Sequence, residues 1–293
     1  IVDPLRAAGH DVHVETLAPE TPFPFPWPIV EFFDAFPECV QLDAPPLRAL
    51  EVAADTTFDL VILTYQVWYL SPALPMTAFL KSEEGRKLID GKPVITLVAC
   101  RNMWLSAQET MKHLICDAGG HLIDHLAFVD QGHPLATFIT TPRWVWTGKK
   151  NSFLGLPPAG VSPEEIRQAS RFGLALADGL NNDREKSGQP MLAGLRAVTV
   201  NARLAVSERA GRRAFGVWSK LVRLFGKRGQ WRRRPVLLLF VVYLITLIVT
   251  VVPISLLLQW LFSPLLKPRL ERLKAELEQP SGSQEFNLQK YDQ

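Results

Sequence analysis

The hydrophobic positions of the chain fall into three regimes. In the first, Phe58-Asp59-Leu60-Val61-Ile62-Leu63-Thr64 is short, almost continuously apolar and rich in β-branched residues. That is the pattern of a parallel strand buried on both faces. Lys92–Ala99 repeats it, and Leu122–Val129 supplies a third strand. Between them, residues 73–89 and Ala107–Ala118 carry helical periodicity, the latter closed by Gly119-Gly120. Ser162-Pro163-Glu164-Glu165 opens a further helix running to about Gly179, with Ser and Glu spaced as a capping box and Pro in the first turn. Strands alternating with helices predict an α/β fold, a parallel sheet with helices on both faces.

The second regime lies ahead of this unit. Residues 1–9 read as the end of a helix closed by Gly9, and His10–Leu17 alternates as a strand does. A helix end followed by a strand predicts that an earlier strand is missing. Residues 18–57 are rich in proline and aromatics, as in Pro22-Phe23-Pro24-Phe25-Pro26-Trp27-Pro28. Proline resists helix and central strand, and the interleaved rings want burial, so an irregular covering loop is expected.

The third regime is Val236–Leu266, 31 residues without a charged side chain. About 20 suffice to cross a bilayer, so a transmembrane segment is expected, more readily one tilted span kinked at Pro253 than a hairpin. Lys227, Arg228 and Arg232–Arg234 before it put the N-terminal side in the cytoplasm. Lys267, Arg269, Arg272 and Lys274 after it suit the hairpin better.

Charge is segregated. Residues 203–234 carry net +10, which leaves −7 for the rest of a chain whose total is +3. Within this block Phe215, Trp218, Val222 and Phe225 recur at helical spacing, which predicts a basic amphipathic helix on anionic lipid headgroups. No nucleic-acid recognition fold accompanies the charge, so nucleic acid is not an expected partner. The expected division is an α/β domain at 1–180, a basic juxtamembrane linker at 181–235, the transmembrane segment at 236–266 and a polar tail at 267–293.

Ligands of parallel α/β sheets bind beyond the carboxyl ends of the strands. Three loops there are informative: Tyr65–Ser71, Cys100–Trp104 and Asp130–His133. They offer flat aromatics and uncharged hydrogen-bonding groups, with one arginine, a mix suited to a planar ring system with polar edges such as an isoalloxazine. The candidate cofactor-binding residues are Tyr65, Gln66, Trp68, Tyr69, Asn102, Trp104 and Gln131. Arg101 is a candidate for stabilising developing negative charge, and Cys100 is the one cysteine beside the site, its thiolate favoured by Arg101. Asp124 and Asp130 read as candidate bases or, equally, as solvated strand ends, and His113 as paired with Glu109 on a helix. No metal site is expected: Cys39, Cys100 and Cys116 lack metal-binding spacing, and His121 and His125 stand about 13 Å apart along a strand.

From Phe58 through Lys81 the chain resembles the flavodoxin-like quinone reductases, in which a strand leads to an aromatic flavin-contacting loop, a Pro-Ala element and a helix. More closely, it resembles the bacterial dialkylresorcinol condensing enzyme family, through Phe23–Pro28, Tyr65-Gln66-Val67-Trp68, Ala99–Trp104 and Thr140-Thr141-Pro142-Arg143-Trp144. The resemblance covers roughly residues 1–180 and extends to the membrane tail. It implies a flavodoxin-like sheet, lacking its first strand and the phosphate loop after it, and a role in making aryl-polyene-type lipids at the bacterial inner membrane. A nucleophilic cysteine on a thiolase-type fold is not in evidence, so condensation itself is not the expected chemistry. The expectation is an FMN-dependent oxidoreductase that aromatises a lipidic cyclic dione made by a partner ketosynthase, with FMN held poorly by this chain because the phosphate loop is absent. Two alternatives remain open, an NAD(P)H quinone reductase at the membrane and a non-catalytic flavodoxin-like scaffold.

Overall fold

The computed structural model describes residues 1–251, 254 and 263–291. In chain order, α1 (Val2–Ala7), α2 (Ile29–Asp34) and α3 (Phe36–Gln41) precede β1 (Val61–Trp68) and the two-residue β2 (Ser71–Pro72). Then come α4 (Leu74–Lys81), α5 (Glu83–Ile89), β3 (Pro93–Cys100), α6 (Leu105–Asp117) and β4 (His121–Val129). They are followed by α7 (Thr137–Thr147), α8 (Pro163–Gln168), α9 (Ser170–Asn181), α10 (Ala202–Leu224) and α11 (Arg234–Thr246). The last helices are α12 (Ser263–Leu277) and α13 (Leu288–Tyr291). The sheet has the order β2-β1-β3-β4, with β1, β3 and β4 parallel and β2 turned back on β1. The fold is mixed α/β, and about half the chain is helical.

β3 lies centrally, and Val94, Ile95 and Val98 are completely buried, as a continuously apolar run requires. They pack with Leu126 of β4, Met111 and Ile115 of α6 and Leu80 and Ile89 of α4 and α5. One polar chain threads this core. The Tyr65 hydroxyl donates to Gln108 Oε1 (2.7 Å), and Gln108 Nε2 donates to Thr96 Oγ1 (2.9 Å), which lies 2.9 Å from His125 Nδ1. Partners of this kind make the burial of four polar groups tolerable.

Several expectations change. The helix at 73–89 is two, because Ser82 leaves helical geometry and its hydroxyl accepts the Gly85 amide as an N-cap. The loop expected at 65–71 is mostly strand: β1 continues to Trp68, and Tyr69 and Leu70, at φ 51° and 60°, make a two-residue hairpin turn into β2. Positive φ at both positions is the geometry of a type I′ turn, which normally takes Asn or Gly. Here the Tyr69 hydroxyl donates to Phe32 O (2.5 Å), and Leu70 O accepts from the Arg212 guanidinium (2.9 Å). His10–Leu17 is not a ladder strand. Val12 and Leu17 rest on the core, the Glu15 carboxylate accepts the amides of Glu51 and Val52, and the segment 46–48 meets residues 18–20 only through an isolated bridge at Pro19 and Leu47.

The α/β unit extends well beyond residue 180. Met191, Leu192, Leu195, Ala197, Val198 and Val200 belong to the core, and Ala197 O accepts the Ala127 amide at the edge of β4. Beyond α12, the Val198 amide bonds Gly282 O and the Arg196 amide bonds Gln284 O. Asp124, read as a candidate base or a solvated strand end, is fully buried. Its carboxylate accepts the Met191 and Leu192 amides and the Ser281 hydroxyl. The segment expected to be a polar tail is thus partly interior.

The basic block also differs from expectation. Glu208 accepts the Ser106 amide at the start of α6, and Arg212 bonds Leu70 O and Thr110 Oγ1. Phe215 and Trp218, expected to face lipid, turn inward onto Phe36 and Phe240, Val222 packs with Val236 and Leu237, and only Phe225 of that set is exposed. Arg233 is wholly buried, paired with Glu38 through both guanidinium nitrogens and lying 3.1 Å from Asp34 Oδ1. From Trp231 to Val251 runs one 21-residue helix long and apolar enough to cross a membrane. Pro253, where a kink was expected, lies outside the described residues.

Candidate functional site

The sequence-predicted site residues separate into two groups. Around the end of β1, the segment 22–33 folds over Trp68. Phe23 and Trp27 meet the Trp68 ring edge-on at 5.0 and 5.5 Å between centroids, and Phe32 packs on Trp27 and Tyr69. Arg228 lies over the Phe23 ring. Trp68 Nε1 donates to Gln66 Oε1. Tyr65 points into the core, and burial pushes its phenol well above the ordinary value. The aromatics of this end therefore already have ring partners within the chain, as a covering loop requires.

The ends of β3 and β4 are different. There a cleft of about 1130 Å³ opens between Asn102 and Trp104 after β3, Val129–Gly132 after β4, α8, the start of α10, and α12. Asn102 is half-buried and its side-chain amide makes no hydrogen bond among the described residues. Trp104 is buried, its ring 4.8 Å from that of His125. Asp130 shapes the turn by accepting the amides of Gly132 (2.8 Å) and Gly160 (2.5 Å). Gln131 donates to Pro158 O and holds the same turn from the outside. The expected pairing of His113 with Glu109 is replaced by Lys112, whose ammonium lies 2.7 Å from the Glu109 carboxylate.

The two residues expected to carry chemistry are not set for it. Burial pushes the Cys100 thiol well above its ordinary range, reinforced by the negative charges of Glu208 and Asp130, so the thiolate is disfavoured. Arg101 is directed at the Phe138 ring, 4.0 Å from its centroid, and burial draws its guanidinium down to about 10, with Asp130 opposing. It remains a cation at neutral pH and braces α7 against the β3 end.

One residue was missed. Glu165 of α8 lines the cleft, and burial raises its carboxyl above the usual range while Arg171 and Arg196 pull the other way. The sequence presented it as the reciprocal half of a capping box. Only the Ser162 half forms, through its hydroxyl and the Glu165 amide at 3.1 Å. Arg171, Arg196, Arg203, Lys267 and Lys274 line the far side of the cleft together with Glu164 and Glu271, with Arg196 paired to Glu285, Lys267 to Glu271 and Lys274 to Glu278. Among the described residues no group of three or more His, Cys, Asp or Glu converges as a metal site would require.

An isoalloxazine could be tested against these residues. The open end fits one in volume and in offering an unpartnered Asn102 amide, and its arginines suit a phosphate. The β1 end does not, because Trp68 and Tyr69 are already engaged. The chain matches no family model, no curated protein and no solved structure.

Proposed function

We propose that the protein is a membrane-attached, FMN-dependent oxidoreductase that aromatises a lipidic cyclic dione, made by a partner ketosynthase, in dialkylresorcinol-type lipid synthesis. The single observation that carries the reading is the open cleft beyond the carboxyl ends of β3 and β4. That is where ligands of parallel α/β sheets bind. On this reading the parallel neighbours β1, β3 and β4 would be strands three to five of a flavodoxin-like order 2-1-3-4-5. In that order the outer edge of β1, unpaired from Val61 to Tyr65 among the described residues, is where the first strand would lie. The apolar helix beside the domain suits an apolar substrate.

Aromatisation of a cyclic dione removes two hydrogens, one as hydride and one as a proton. FMN, when bound, supplies the hydride acceptor. Asn102 would bond the polar edge of the ring and Trp104 would wall it off from the core. Arg203 and the neighbouring cations would hold the phosphate. Glu165, whose carboxylate burial makes a stronger base than usual, would take the substrate proton from an acidic carbon between two carbonyls. Arg101 acts at a distance, by positioning the β3 end.

A scaffold without cofactor is the second reading, and one observation favours it: the rings expected to contact flavin are engaged with Phe23, Trp27 and Phe32. The two readings separate in the visible spectrum of the detergent-purified chain after incubation with FMN and removal of free cofactor. Oxidised-flavin bands that dithionite bleaches are expected. A protein that stays colourless sinks the oxidoreductase reading.

A further inference from the structure

The uncharged stretch is bounded at both ends by residues fixed to the same domain. At its start, Arg233 is buried against Asp34 and Glu38, and α11 then lies along the domain for three turns. Val236, Leu237 and Phe240 are buried, Phe240 stacks on Phe36 at 4.0 Å, and Tyr243 meets Trp218 at 5.3 Å. At its far end α12 lines the cleft, and the chain continues into the core. The Ser281 hydroxyl donates to Asp124 Oδ1 (2.6 Å) and accepts the His125 amide (2.7 Å), both on β4. Past it, Asn287 N bonds Gly194 O, and the Tyr291 hydroxyl bonds Asp178 of α9.

A folded domain lies on one side of a bilayer. Two ends tied to one domain admit an even number of crossings or none. Length decides between these. Past the Tyr243 contact, about 19 residues precede α12, enough for only ~14 Å down and back at helical rise. The hydrocarbon core is ~30 Å thick, and an extended path would leave backbone groups unbonded in lipid. A crossing by the Trp231–Val251 helix would instead draw α3 and the end of α10 into hydrocarbon, with the exposed Lys220 and Arg223.

We propose that this stretch enters and leaves the bilayer on the same side, so that the protein is bound to a single leaflet with anionic headgroups. The surface that meets the leaflet is on α10 and α11. Val217, Leu221 and Leu224 form an exposed apolar stripe on the face of α10 opposite the packed one, at 68, 39 and 81 % exposure. Leu238, Leu239, Val242 and Ile245 continue it on the outer face of α11. Exposed Lys220, Lys227, Arg232 and Arg234 border these apolar side chains, the arrangement of an interfacial helix rather than a span.

The inference rests on the membrane attachment proposed above and not on the cofactor. Its test compares two reporters in the full chain: native Cys116, exposed on α6, and a tail cysteine from Gln289→Cys, with Glu285→Cys as a second tail variant. Sealed vesicles of either orientation, washed with carbonate, are treated with a membrane-impermeant maleimide, and labelling is read site by site by mass spectrometry. The expected result is that Cys116 and the tail cysteine label within about twofold of each other in one orientation and are both protected in the other. Labelling of the two from opposite sides overturns the inference. Loss of the chain from the carbonate-washed membranes overturns both the inference and the attachment, whatever the flavin spectrum shows.

Discussion

The two ends of the expected site have opposite characters. At the end of β1, Trp68 and Tyr69 sit inside a cluster with Phe23, Trp27, Phe32 and Phe36, so that the chain binds its own rings. At the ends of β3 and β4, Asn102, Trp104 and Glu165 border an open cleft, and the Asn102 amide has no partner among the described residues. The difference teaches that exposed-loop aromatics are weak evidence for a ligand when a Pro-aromatic segment elsewhere in the chain can cover them. An unpartnered amide lining the same open cleft as a titratable carboxyl is better evidence.

The comparison breaks most visibly at the closed end. Asp34 and Glu38, which hold Arg233, flank Phe36 on the helices that carry the cap. Arg233→Leu takes the cation from the buried Asp34, left with only the Gly229 amide, and from the partly buried Glu38, a loss of about 3 kcal/mol. Urea unfolding of the detergent-solubilised chain should show that drop. A loss below about 1 kcal/mol would mean that the cap does not depend on this anchor. Trp68→Ala should cost about 2 kcal/mol in the same assay, because a half-buried ring with two aromatic partners is removed.

Two titrating groups, His125 and Asp124, lie in the core on β4, and neither lines the cleft. Burial draws His125 down to about 3, so the fold binds fewer protons than the unfolded chain below pH 6.5, and acidification through that window destabilises it. Burial pushes the neighbouring Asp124 up to about 6, despite the hydrogen bonds it accepts, so the fold retains a proton that the unfolded chain loses above about pH 4. Acidification from pH 6 to 4 therefore stabilises through Asp124. Each slope is at most about 1.4 kcal/mol per pH unit, and between pH 6 and 4 they oppose. The unfolding free energy should be nearly flat there in the wild type. In Asp124→Asn it should fall with acidification by up to about that slope, and a flat profile in the variant would contradict the assignment. The smallest effect is expected at Asn102, where replacement by Ala removes no contact and should leave stability within about 0.5 kcal/mol.

What was legible in the sequence follows the same division. β3, β4 and α6 are continuous or periodic apolar runs, and the sequence locates each to within two residues at either end. The hairpin at Tyr69-Leu70 was invisible, because positive φ is normally announced by Gly or Asn and here is held by Arg212 and the Phe32 carbonyl. α10 carries two apolar stripes, and spacing alone does not say which has a protein partner; Phe215, Trp218 and Val222 do, while Val217, Leu221 and Leu224 do not. The tail anchors through single polar residues such as Ser281, which leave no periodicity to read. Glu165 was hidden because its spacing from Ser162 already had a local explanation as a cap.

The central claim is that the ring-binding end is the open one and the β1 end is a cap. The most direct measurement is an FMN titration of the full chain in detergent, followed by quenching of flavin fluorescence, for the wild type, Asn102→Ala and Trp68→Phe. The account predicts an affinity about tenfold weaker for Asn102→Ala, the loss of one hydrogen bond to the ring, and within twofold of wild type for Trp68→Phe. A large loss at Trp68 with none at Asn102 would contradict it and move the site to the β1 end.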